Sequence, residues 1–88
     1  MSFMSDTKVV LILVDKRTDA ALKVQEVLTE NGCKIKTRLG VHETSSCEEE
    51  GLIFLNIDST KEEAKILINE LNKIKRVKAK FVEMSLEN

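Results

Sequence analysis

A chain of 88 residues has room for one domain, near the lower limit at which a single hydrophobic core suffices without disulfides or metals. With 42% hydrophobic and 33% charged residues it is too apolar for a disordered chain, and 14 Lys and Arg against 15 Asp and Glu, net −1, exclude any general attraction to nucleic acid or an anionic membrane. Its two cysteines, Cys33 and Cys47, fit neither a disulfide framework nor a CxxC motif, and the longest apolar run, Val9 to Val14, is far short of a bilayer span, so we expect a reduced, cytoplasmic protein without a membrane partner.

Residues 1–7 are aperiodic and read as a flexible start. A strand follows near 8–14, VVLILV at its heart, and Asp15, Lys16 and Arg17 break it. Thr18 is placed to cap a helix near 18–31, in which Ala21, Val24, Val27 and Leu28 recur at helical spacing and Gly32 supplies the stop. From Cys33 the period changes to two: Cys33, Ile35, Thr37 and Leu39 face one way, Lys34, Lys36 and Arg38 the other, which predicts a half-exposed strand over 33–41 with Cys33 as a small core residue.

The polar, acidic stretch HETSSCEEE, His42 to Glu50, reads as a long connection. It leads into GLIFLNI, 51–57, an unbroken apolar run that demands burial on both faces and around which the domain is organised. Ser59 with Glu62 has capping-box spacing, and Ala64, Leu67, Ile68, Leu71 and Ile74 make the apolar stripe of a helix over 60–75. A last strand spans 76–84, with Val77, Ala79 and Phe81 alternating against Lys78 and Lys80, before the polar tail 85–88.

The order βαββαβ predicts an α+β domain over 8–84 with the ferredoxin-like arrangement: a four-stranded antiparallel sheet, order 4-1-3-2, and two helices on one face. Both central strands are apolar on both faces, so the uncovered face should be greasy at its centre and rimmed by lysines. Alternation does not say which set of the first strand is turned outward, Val10, Ile12 and Val14 or Val9, Leu11 and Leu13. We assign the first set, with Phe54 of the third strand, to an interface with a second copy, closing a homodimer or pairing further into a tetramer.

The segment KVQEVLTENGCKIKTRLGVHE, residues 23–43, with GLIFLNI and LNKIKRVKAK, 71–80, resembles a family of small bacterial proteins regarded as regulators of iron-only hydrogenase systems. The resemblance runs over residues 8–84. It implies an ACT-like domain related in fold to the C-terminal ligand-binding domain of nickel-responsive repressors, and a link to hydrogenase maturation. Three positions differ from what those relatives lead one to expect. Asp15-Lys16-Arg17 stands where amino-acid-binding ACT domains have a glycine turn. One histidine, His42, stands against the several of the nickel domains, and Lys75-Arg76 occupies the place of a Pro-Gly pair.

Ligand chemistry gathers only at His42, Glu43 and Cys47, a set suited to a divalent transition metal, although three ligands from one short loop rarely close a site unless a symmetry mate contributes. These three are the candidate effector or metal residues; no other cofactor is indicated. Lys34, Lys36, Arg38, Lys78 and Lys80 lack the interleaved aromatics of a nucleic-acid platform and read as charged edges. No nucleophile stands beside a base and no glycine loop cradles phosphate, so no catalytic residues are assigned and no enzyme activity is expected. The expectation is a small cytosolic regulatory or sensory module binding a small effector at or near an oligomer interface; the alternative is a scaffold without a ligand.

Overall fold

The structure, a computed structural model, describes residues 7–41 and 50–86. Four strands and two helices follow in the expected order: β1 Thr7–Asp15, α1 Ala20–Glu30, β2 Ile35–Val41, β3 Glu50–Ile57, α2 Lys61–Asn72 and β4 Val77–Met84, with one 3-10 turn at Gly32–Lys34. The sheet is antiparallel with spatial order β2-β3-β1-β4, the ferredoxin-like arrangement, and the strands that carry the two apolar runs lie at its centre. Among the described residues no helix is long and apolar enough to cross a membrane.

Burial along the central strands alternates, and this decides which face is open. Val10, Ile12 and Val14 of β1 are 0–3% exposed and pack with Ile53, Leu55 and Ile57 of β3 against Ala20, Val24 and Leu28 of α1 and Ala64, Leu67 and Leu71 of α2. The assignment of Val10, Ile12 and Val14 to an outward interface is therefore corrected: they form the floor of the core, and the other set, Val9, Leu11 and Leu13, is turned away from the helices. Phe54 does lie on that open face, between Leu11 and Leu39 in one cross-strand row.

Several local expectations shift by a residue or two. α1 begins at Ala20 because Thr18 turns its hydroxyl to accept from the Ala20 N–H, 3.1 Å, while donating to the Asp15 carbonyl, 3.2 Å. The helix ends on Asn31, whose amide donates to the Val27 carbonyl at 2.8 Å; no glycine of the described residues has positive φ, so Gly32 is not the left-handed cap that the sequence suggested. Cys33 falls in the 3-10 turn and is exposed, not a core residue. A bulge between Ile35 and Thr37 then swaps the sides of β2: Ile35 stays against the core, whereas Thr37 and Leu39 come to the open face. α2 is capped by Thr60 with Glu63, one residue after the expected pair: the Thr60 hydroxyl accepts from the Glu63 N–H at 3.1 Å and the Glu63 carboxylate accepts from the Thr60 N–H at 3.0 Å.

Both sheet edges are dressed. On the β2 side Arg38 donates to the side chain of Gln25 on α1. On the β4 side the Asn72 carboxamide accepts from the Ala79 N–H, 2.8 Å, and donates to the Ala79 carbonyl, 3.1 Å, occupying the place a further strand would take.

Candidate functional site

At one end of the sheet the C-terminus of β1, the start of β3 and the turn from α2 into β4 converge. Asp15 closes β1 against this turn: its N–H donates to the Arg76 carbonyl at 3.1 Å. Its side chain is 6% exposed, which an ionised carboxylate tolerates only when its oxygens are filled. They are. The Arg17 N–H and Nε donate to Oδ1 at 2.9 and 3.1 Å, Arg17 Nη2 to Oδ2 at 3.2 Å, and Arg76 Nε to Oδ2 at 2.9 Å. Hydrogen bonds from Arg17 above all, with help from Arg76, hold the Asp15 carboxyl well below the usual carboxylate range.

Arg76 reaches Asp15 from a backbone with φ of 70°, the left-handed region that glycine occupies freely and other residues rarely do. Here the guanidinium contact with Asp15 accompanies the unfavourable backbone, and through it the segment Asp15-Lys16-Arg17 meets the turn that carries Arg76.

Beside this latch lies a cleft of about 630 Å³ lined by Leu13–Asp15, Glu50 and residues 72–78. Its apolar surface comes from Leu13, Val14, Ile74 and Val77, and its charge from Lys73, Lys75, Arg76 and Lys78 against Asp15 and Glu50. Glu50 is the first described residue after the polar connection, so the cleft opens where that connection rejoins the sheet. His42, Glu43 and Cys47 lie outside the described residues, and among the described residues no cluster of three or more His, Cys, Asp or Glu could hold a metal. The sequence marked Asp15-Lys16-Arg17 as a strand breaker and, with Lys75-Arg76, as a departure from the families it resembles, but did not join the two segments. The signal available was an acid with an arginine two residues on, directly after a buried strand.

No protein-family model matches the sequence, and no curated protein does. Among solved structures the chain is similar to an uncharacterized protein of Thermotoga maritima, TM1266, with TM-score 0.79 and 25% identity over 94% of this chain and 100% of that one. It is also similar to CPII of Thiomonas intermedia, a nitrogen regulatory PII-like protein, bound to ADP, AMP and bicarbonate, with TM-score 0.64 and 11% identity over 97% of each chain. The apo form of CPII gives TM-score 0.61 and 12% identity over 96% of this chain and 97% of that one. At these identities the likeness to CPII is one of fold, and the chain has the ferredoxin-like fold that this regulatory protein uses.

Proposed function

We propose that this chain is a small cytoplasmic regulatory or sensory module that binds a small effector in the cleft beside the β3 start, and that it acts as a binder and not as an enzyme. The observation that carries the proposal is the cleft itself. Its volume lies within the few hundred to a thousand Å³ typical of small-molecule sites, and it mixes an apolar lining with convergent charges. The fold is also that of CPII, a nitrogen regulatory protein whose structure holds ADP, AMP and bicarbonate. The resemblance to the iron-only hydrogenase regulators suggests hydrogenase maturation as the process served.

The module works as a homo-oligomer. Leu13 and Leu39, 42% and 59% exposed, flank half-buried Val9, Leu11, Leu52 and Phe54 on the open face, with Lys78 and Lys80 along one margin. These six residues on three adjacent strands expose on the order of a few hundred Å² of apolar surface. At ~25 cal/mol per Å², covering it contributes several kcal/mol. A second copy offers the same flat apolar centre, and lysine stems at the rim can lie over it with their ammonium groups in water.

Thermal melting tests effector binding against the scaffold alternative. With amino acids, nucleotides, nickel, zinc and iron as the panel, a ligand at 100 times its Kd adds ~2.7 kcal/mol and raises Tm by several degrees. A shift with one class is the expected result, and nickel or zinc alone would return the site to His42, Glu43 and Cys47. No shift with any compound would leave the scaffold.

A further inference from the structure

Resting on the cleft as the effector site, we infer that its ligand is a small, multiply charged anion carrying phosphate or carboxylate groups, held by Lys73, Lys75 and Lys78. The cleft wall carries four cations and two carboxylates, although the whole chain has a net charge of −1. The two carboxylates differ in what they offer a ligand. Asp15 is buried and its oxygens are filled by Arg17 and Arg76, so it has no open oxygen with which to draw a cation into the cleft. Glu50 is exposed at the mouth and is the one remaining carboxylate of the wall.

On the other side of the balance, none of the three lysines has an ion-pair partner among the described residues, whereas Lys8, Lys23, Lys34 and Lys61 all do. Three exposed ammonium groups within six positions of one short turn repel one another. A concave wall concentrates their field, and an anion spanning two or three of them relieves the repulsion. The turn is held in place for this by its own contacts: Arg76 is fixed to Asp15, and Asn72 is clamped to Ala79. Leu13 and Ile74 add apolar surface against which the uncharged part of an organic anion can rest.

Isothermal titration of the full chain with inorganic pyrophosphate and, separately, with citrate tests this. Binding of either anion is expected, weakening at least tenfold in the K73Q/K75Q/K78Q variant and falling steadily with added salt. Pyrophosphate alone assigns a phosphate ligand and citrate alone a polycarboxylate. The three lysines are exposed, and circular dichroism checks that the variant folds; the salt dependence is read on the unaltered chain and needs no variant. The inference is overturned if neither anion binds, or if binding is indifferent to both salt and the three lysines. If spermidine or a neutral amino acid binds the cleft instead, the effector site survives and its anionic ligand does not.

Discussion

Asp15 carries two roles at once, and acid separates them. Its carboxyl is held low chiefly by Arg17, and that of Glu63 is lowered by the Thr60 N–H it accepts at the start of α2. In the unfolded chain such groups titrate at about 3.9 to 4.3. Because both folded values are depressed, the stabilisation is complete above that range and is lost as pH falls through the lower folded values. Asp15→Asn is therefore expected to reduce stability at pH 7, and the variant's further loss between pH 5 and pH 2 should be smaller than that of the unaltered chain. Urea unfolding at a series of pH values measures both. Parallel curves for the two proteins would show that the arginines are not what stabilises the latch. Arg76 responds to the same change: with Asp15 neutral, its left-handed backbone loses the ionic contact that accompanies it, and Arg76→Gly should be less harmful in the Asp15→Asn background than alone.

At the level of elements, the start of α2 gives a one-residue test. The capping box is made by Thr60 and Glu63, so Thr60→Ala should cost ~1 kcal/mol. Ser59→Ala, whose hydroxyl only donates to the Thr60 carbonyl, should fall within about 0.5 kcal/mol of the parent. Chemical denaturation of the two variants distinguishes them, and equal losses would contradict the cap. The same region shows why some features were legible and others not. GLIFLNI and VVLILV announced two central strands because an edge position in a small sheet shields an apolar run least. The stripe Ala64, Leu67 and Leu71 announced α2 in the same way. Ser59-Thr60 with Glu62-Glu63 offers two capping registers of equal spacing, and only the packed helix picks one. The bulge in β2 left no mark in the alternation of Lys and apolar residues, so the side taken by Leu39 could not be read ahead of it, and Cys33 precedes the strand altogether, in the 3-10 turn. The latch was hidden for a different reason: Asp15 and Arg76 are 61 residues apart, and nothing local declares such a pair.

Taken whole, the molecule buries one face of its sheet under two helices and leaves the other apolar at the centre. Leu39→Lys is the cleanest probe of what that face does, since Leu39 is 59% exposed and its replacement leaves the core untouched. Sedimentation at micromolar concentration should give a dimer or tetramer for the unaltered chain and a monomer for Leu39→Lys, with the same circular dichroism. A 10 kDa species for both, unchanged on dilution, would show that the face works without a second copy. Leu13 and Lys78 belong to the open face and to the cleft wall alike, so in the proposed homo-oligomer a ligand in the cleft would have a direct route to the second copy. The central claim is that the end of the sheet is the effector site, and an amide chemical-shift titration tests it most directly. Any compound that raises Tm should shift the amides of Leu13 to Asp15, Glu50 and Asn72 to Lys78 in a saturable way. Saturable shifts confined to the outer face of α1, around Leu22 and Gln25, would contradict it.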